Sequence, residues 1–335
     1  MDIFDTILEN KIKFEAQQNR YFSIKKFYFY SFLMILRITF NFNFKIKSKI
    51  QDEVLFLNWS RYNYLYDNIP LDGTNLSFNY RDSSYKNLLV NINFLEIISI
   101  LFEEFFKLNT KNKVTRCFYK LEYLMLKNYI LRSNAKSIYI NSLYDRYSYC
   151  VEFICKELDI KFNIVQHGAL TKFNLTNHHS CNEFWLLFKH SKDLINSTFK
   201  VNEFKYLNVP SKIISDETFS RFVSYGTTPG KDSENQLVIE TLISLFKTII
   251  IYPHPRDIFN YSTYKDSLIF NNIRYKTDLV FVCGLSTLGV EYLESGSNVI
   301  FYNPENRQTD FSNYYKNNFS ENINNLIYKC RKYSN

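Results

Sequence analysis

The chain has 335 residues, a net charge of +8, 46% hydrophobic and 22% charged residues. Such a length exceeds one compact core and predicts two domains of ~150 residues each, while the apolar share excludes disorder as the main state. The six cysteines form no C-x-x-C pair and no zinc spacing, which predicts reduced thiols and excludes a disulfide framework.

Residues 1–50 stand outside any strand–helix alternation. The acidic, polar start Met1–Asp2–Ile3–Phe4–Asp5 is unlike a cleavable signal and predicts a cytoplasmic protein. Ile3–Arg20 reads as a polar helix. Tyr21–Phe44 is aromatic and aliphatic, framed by Lys25, Lys26, Lys45, Lys47 and Lys49, and Arg37 leaves its apolar run short of a ~20-residue span. Two readings stay open for it: a helix packed on the N-terminal domain, or an amphipathic segment on the inner face of the plasma membrane.

From Val54 an alternation begins. Val54–Leu57 predicts a strand, the stretch around Pro70–Gly73 a turn, and Leu88–Ile92 a second strand. Helices are predicted over Leu95–Phe106, Val114–Leu131 and Tyr147–Leu158, and strands over Ser137–Ile140, Phe162–Val165 and Phe184–Phe188. Tyr206–Pro210 reads as the end of the first domain. Arg221–Gly226 opens a second set: helix Glu234–Lys247, strand Ile249–Tyr252, strand Val280–Cys283, helix Ser286–Ser295, strand Val299–Tyr302 and a closing helix Phe319–Arg331. Runs that are apolar throughout, alternating with helices, predict parallel sheets covered on both faces. The expected fold class is α/β: two doubly wound domains (51–210 and 211–335) facing a cleft, with a helical N-terminal extension (1–50).

Glycine is scarce, and six of the seven fall between Gly168 and Gly296. Five of those six lie at or just after strand ends or in the loops that follow, where they predict positive φ or close backbone approach to a ligand. Three strand ends also carry polar groups: Gln166–His167–Gly168, Tyr252–Pro253–His254–Pro255–Arg256, and Gly284–Leu285–Ser286–Thr287. The carboxyl ends of strands are where open α/β sheets bind ligands. Ser286 and Thr287 at a helix start offer hydroxyls and amides to an anion, or Ser286 is a plain N-cap. His254 and His167 fit an acid or base role, or buttress their turns. Arg256 adds charge, or pairs with Asp257 at the surface. Neither G-x-x-x-x-G-K-[ST] nor G-x-G-x-x-G occurs, no Asp-x-Asp pair is present, and no histidine has metal spacing, so no metal is expected.

Taken in order, Val165–Gln166–His167–Gly168, then Tyr252–Pro253–His254–Pro255, then Ser286–Thr287 followed by Glu291 and Gly296–Ser297–Asn298–Val299–Ile300, the chain resembles bacterial surface-polysaccharide glycosyltransferases of the GT-B fold. It is similar to the capsule polysaccharide transferases, the sialyl- and polysialyltransferases and the CDP-glycerol glycerophosphotransferases. The resemblance spans residues 135–305. It implies that His254 contacts the donor phosphate or protonates the leaving group, and that Ser286 and Thr287 bind that phosphate. Gly226, Gly284 and Glu291 would line the nucleotide, with Glu291 meeting a ribose hydroxyl or lying solvated on its helix. His167 would be the base, as in the His-Gly motif of the glycerophosphotransferases, with Gln166, Gly168 and Arg256 towards the acceptor. Sialyltransferases use an Asp/Glu-Gly motif instead, and here the only Asp-Gly is Asp72–Gly73 in an early loop.

The activity so implied is metal- and cofactor-independent transfer of a sugar from a nucleotide donor to a surface polysaccharide, lipooligosaccharide or lipid-linked glycan. The first expectation for the donor is a CMP-linked sialic acid-like or Kdo-like sugar. A CDP-polyol phosphotransferase of teichoic-acid-like polymer synthesis and a non-catalytic GT-B-fold subunit of an assembly complex are the alternatives. Scattered lysines without a binding motif speak against nucleic acid.

Overall fold

The computed structural model describes residues 4, 24–41, 53–58, 63–77, 92–106, 112–141, 143, 146–170, 179–209, 212–228, 230, 232–254, 257–271, 273–283, 286–302, 318–320 and 322–333. The chain forms two compact units, Met1–His167 with Phe173–Asn208, and Gly168–Lys172 with Val209–Asn335.

In the first unit the elements run α1 (Ile24–Asn41), β1 (Val54–Asn58), α2 (Asn63–Tyr66), β2 (Thr74–Ser77), α3 (Phe94–Phe106), α4 (Lys113–Ser133), β3 (Ser137–Ile140), α5 (Arg146–Leu158), β4 (Lys161–Val165), β5 (Ser180–Leu186), α6 (Ser191–Asn196) and β6 (Lys200–Tyr206). The sheet order is β2-β1-β3-β4-β5-β6, parallel throughout. Burial follows from the residues: Ile138, Tyr139 and Ile140 of β3 and Phe162 to Val165 of β4 are all buried, as strands covered on both faces must be. Local signals set the helix ends. Asn93 and Glu96 cap α3 reciprocally, each side chain taking the other's backbone N–H at 2.8 Å. Asn134 (φ 55°) and Asp159 (φ 55°) leave α4 and α5 in the left-handed region, the conformation that stops a helix and turns the chain to the next strand.

Helix α1 packs on α4 through Ser31, Met34, Ile35 and Ile38, one face at helical spacing. The Tyr28 hydroxyl donates to Asn112, just before α4. Of the two readings of Tyr21–Phe44, packing on the first unit is the arrangement of its described part; Lys45, Lys47 and Lys49 lie outside the described residues, as does all but Phe4 of the Ile3–Arg20 helix. No helix among the described residues is long and apolar enough to cross a membrane. Helix α3 buries one apolar and one acidic side chain, Ile97 and Glu104. Glu104 is fully buried against Arg116 and Lys120 of α4, while Leu95, Phe102 and Phe106 are exposed.

The second unit runs β7 (Ile213–Ile214), α7 (Glu217–Ser220), β8 (Val223–Gly226), α8 (Asp232–Phe246), β9 (Ile249–Tyr252), β10 (Leu268–Phe270), β11 (Arg274–Tyr275), β12 (Leu279–Cys283), α9 (Thr287–Glu294), β13 (Asn298–Tyr302), β14 (Phe319–Ser320) and α10 (Ile323–Tyr333). Its main sheet has the order β10-β9-β8-β12-β13-β14, again all parallel, and β7 pairs with β11 beside it. The core lies between the sheet and α8 and α10, around Tyr225, Ile239, Leu242, Phe281 and Leu326. Both units are doubly wound α/β sheets of the Rossmann type.

Several expected elements differ. The second strand is Thr74–Ser77, directly after the predicted Pro70–Gly73 turn and not itself anticipated, and residues 88–91 of the expected strand lie outside the described residues. Strand β6 escapes an apolar-run reading because it is an edge strand with polar, largely exposed residues. Phe319–Ser320 is an edge strand ahead of a closing helix that starts at Ile323.

Candidate functional site

The strand order of the second unit decides where its site lies. Strand numbers rise outward on both sides of the sheet's middle, from β8 through β9 to β10 and from β12 through β13 to β14. The order therefore reverses between β8 and β12. In a doubly wound sheet the crevice outside the carboxyl ends at that reversal is the ligand position.

What stands there is polar. Beyond β8, Gly226 leads to Thr227 and Thr228. The Thr228 hydroxyl donates to the Cys283 carbonyl at 2.7 Å, tying the loop after β8 to the end of β12 across the reversal. Thr228 is held from behind by buried Asn235 of α8, whose amide nitrogen donates to the Thr228 carbonyl (2.8 Å) and whose oxygen takes the Thr228 N–H (3.2 Å) and the Tyr225 hydroxyl (2.7 Å). Beyond β12, Ser286 caps α9, accepting the Gly289 N–H at 3.1 Å. The amides of Thr287 and Leu288 precede the first intrahelical bond and carry the positive end of the helix dipole. Thr287 Oγ1 accepts the Ala169 N–H at 3.2 Å, within the short segment that belongs to this unit. Each hydroxyl uses an acceptor position on a backbone N–H and keeps its O–H as a donor.

Beyond β9, His254 is half-buried and both its backbone polar groups are held. Its N–H donates to Thr227 Oγ1 at 2.9 Å, and its carbonyl accepts the Asp257 N–H at 2.7 Å. Thr227 in turn donates its hydroxyl to the Asp257 carboxylate, which also takes the Tyr261 hydroxyl and the Phe259 N–H (3.1 Å). Burial and the Asp257 carboxylate both raise the Tyr261 phenol, which stays a donor.

Other expected site residues fare differently. Ser286 is an N-cap and keeps its place at the reversal. Glu291 is half-buried and paired with Arg274; burial pushes its carboxyl up, against the opposing pull of Arg274 and Lys212. At Gly226 the room for a side chain is filled by Leu288, whose Cδ2 would sit 2.4 Å from an added Cβ, so packing accounts for this glycine rather than contact with the nucleotide. Gly168 lies against Thr287, 3.0 Å from the position of an added Cβ. Among the described glycines, Gly230 (φ 70°) and Gly296 (φ 84°) have positive φ. Arg256 and Gly284 lie outside the described residues.

In the first unit, Gln166 is fully buried and its amide is spent internally. Nε2 donates to Ser191 Oγ (2.8 Å), and Oε1 accepts the Leu187 and Phe188 N–H groups (3.0 and 3.3 Å). It locks the end of β4 to the end of β5 and the start of α6, which corrects the expectation that it faces an acceptor. His167 follows it, half-buried, two residues beyond β4. Among the described residues no three His, Cys, Asp or Glu side chains cluster as metal ligands would.

Sequence reasoning missed Thr227, Thr228, Asn235 and Tyr261, and treated Asp257 as a surface partner for Arg256. The Thr227–Thr228 pair directly after an apolar strand and a glycine was the readable signal. Asp257 bonds Thr227 thirty residues away, and Asn235 reaches back across a loop to Thr228 and Tyr225, pairings that no sequence motif announces.

No family model matches the sequence, and no curated protein matches it. Solved structures do match. The UDP-GlcNAc 2-epimerase of Methanocaldococcus jannaschii is 10% identical, with 84% of this chain and 92% of that one covered, at a TM-score of 0.44. The glycotransferase of kitacinnamycin is 7% identical over 78% of this chain and 82% of that one, at 0.48. The UDP-N-acetylglucosamine 2-epimerase of Rickettsia bellii is 9% identical over 70% and 74%, at 0.40. Likeness at this level says nothing about chemistry. The Rossmann-type assignment rests on the two strand orders themselves.

Proposed function

We propose that this chain is a GT-B glycosyltransferase that takes a sugar from a nucleotide-activated donor held on its second unit. The observation that carries the reading is the convergence of Ser286, Thr287 and the His254 loop on the ends of β12 and β9, around the strand-order reversal. Hydroxyl donors and a helix N-terminus are suited to an anionic ester, and a charge of +8 favours an anionic substrate.

In the reaction the bond from the anomeric carbon to the donor phosphate oxygen breaks, and a bond from that carbon to an acceptor oxygen forms. The leaving nucleotide keeps the electron pair. His254 donates a hydrogen bond or a proton to its phosphate, and Ser286, Thr287 and the α9 amides take up the remaining charge. The acceptor hydroxyl loses its proton to His167, which acts as the base. Neither role uses a metal. We assign the donor to the CMP-linked acidic sugars and the acceptor to a surface polysaccharide or lipooligosaccharide, on the motif resemblance alone.

A thermal-shift series with CMP, CDP, UDP, GDP and dTDP, with and without EDTA, tests the reading. Stabilisation by CMP that survives EDTA and disappears in His254→Ala is the expected result. Preference for CDP would replace the sugar donor by a polyol-phosphate donor. Stabilisation by UDP, GDP or dTDP would move the donor to the neutral sugars. No stabilisation by any nucleotide, together with no hydrolysis of CMP-sugar, would overturn the proposal in favour of a non-catalytic subunit.

A further inference from the structure

We propose that Asp257, acting through Thr227, is the positioning residue that sets His254 at the donor phosphate; this rests on the donor reading above. The His254 loop leaves the sheet at β9, one strand away from the reversal between β8 and β12. Its histidine serves a ligand at that reversal only if the loop is fixed relative to β8. Two residues do this. Thr227, directly after β8, is buried and takes the His254 N–H, while Asp257 gives its own N–H to the His254 carbonyl.

A threonine hydroxyl has one proton and it must choose a direction. With its oxygen accepting from His254, the Thr227 proton is directed to the Asp257 carboxylate. An ionised carboxylate is acceptor-only, so the direction of the chain His254 N–H to Thr227 to Asp257 is unambiguous. The Phe259 N–H and the Tyr261 hydroxyl, two and four residues further along the same segment, also bond the carboxylate, and Tyr261 is packed into the core of the unit, which ties this segment to the fold. Asp257 touches no reacting atom in this scheme. Its effect is delivered by the His254 backbone.

The test is a double-mutant cycle on CMP affinity, or on the affinity of whichever of the five nucleotides stabilises the wild type most. Asp257→Asn keeps shape and removes the charge; Thr227→Val keeps shape and removes both hydrogen bonds; Thr227→Ser keeps both. The first two are expected to weaken binding about tenfold or more, the factor that corresponds to losing one charge-assisted hydrogen bond. Thr227→Ser should bind as the wild type does. In a His254→Ala background, Asp257→Asn should have no further effect. An equal loss in both backgrounds would make Asp257 a purely structural residue and overturn the proposal, as would undiminished binding in Asp257→Asn.

A second arm needs no nucleotide. The imidazole nitrogen–proton correlations of His254, assigned by its loss in His254→Ala, should form one sharp set in the wild type and in Thr227→Ser. They should broaden or double in Asp257→Asn and Thr227→Val. An unaltered His254 signal in Asp257→Asn overturns the positioning role whatever the ligand. Failure of every nucleotide to bind the wild type, with the His254 signal responding as expected, would overturn the donor reading and leave the positioning of His254 standing.

Discussion

Gly289 sits in the first turn of α9, and its replacement by alanine is a direct test of how that helix is seated. A Cβ there would lie 2.6 Å from Phe301 Cε1 and 2.8 Å from Val282 Cγ2. Carbon contacts are comfortable at about 3.5–4.0 Å, so roughly 1 Å of movement is required. Phe301 is fully buried and Val282 nearly so, on adjacent strands β13 and β12, so neither has room to yield. Overpacking of this kind costs ~1–3 kcal/mol. Alanine returns ~1 kcal/mol through helix propensity. With contacts this short the steric cost lies at the upper end of that range, and the expected net loss is up to ~2 kcal/mol, or up to ~8 °C in the melting temperature. Relief by displacement of α9 also moves Ser286 and Thr287, so nucleotide stabilisation should fall along with the melting temperature. Differential scanning fluorimetry of Gly289→Ala with and without nucleotide reads both quantities. A variant as stable as the wild type, with undiminished nucleotide response, would refute the close seating of α9 on β12 and β13.

Three further outcomes follow from the same reasoning. Burial works to raise the Glu104 carboxyl, but bonds from Arg116 and Lys120 outweigh it and hold it at about 2; the stability it contributes is present above the ordinary carboxylate range and lost as pH falls from ~4.3 towards 2. Glu104→Gln should therefore cost ~3 kcal/mol at pH 7 and flatten the acid limb of stability against pH, measured by denaturant unfolding; an unchanged acid limb would contradict the buried pairing. Gly73→Ala should destabilise more than Gly226→Ala, because an added Cβ at Gly73 lies 2.7 Å from the Val54 backbone oxygen, whereas at Gly226 the nearest atom is the end of the Leu288 side chain; the reverse order in thermal melts would show that the β1 backbone yields. All six cysteines are buried, with burial pushing the Cys117 thiol to about 11 and those of Cys181 and Cys330 to about 12. At pH 8 the native chain should react slowly with a thiol-specific disulfide reagent and release six equivalents only when unfolded; a rapid native phase would mean an open cysteine.

Elements whose burial is written along the chain were legible in the sequence. Ile249–Tyr252 and Leu279–Cys283 are buried at every residue, and an unbroken apolar run of that length has few other fates. Edge strand β6 was not legible, because it is paired on one side and largely solvated, so nothing obliges its residues to be apolar; β10 is apolar but only three residues long, too short to stand out. The strand Thr74–Ser77 went unread for a related reason: of Thr74, Asn75 and Leu76, Leu76 alone is buried. In the site, His254 and Ser286–Thr287 were visible because scarce residue types stood at strand ends. Asp257 and Asn235 were not, since their meaning lies in bonds to Thr227, Tyr225 and Thr228 that only the folded sheet creates. Gln166 misled because a polar residue beside a histidine looks the same in sequence whether it faces solvent or closes a turn.

The strand orders give the two histidines parallel standing, each within its own unit. In the first unit the order reverses between β1 and β3, and His167 follows β4, the strand beside β3. In the second it reverses between β8 and β12, and His254 follows β9, the strand beside β8. Each histidine is thus one strand removed from its reversal, and each depends on something that holds its turn. For His167 this is the buried Gln166 amide, bonded to Ser191, Leu187 and Phe188. For His254 it is the Thr227–Asp257 pair. The two supports differ in one physical respect: the first is neutral and sealed in the core, whereas the second ends on a carboxylate only half-buried.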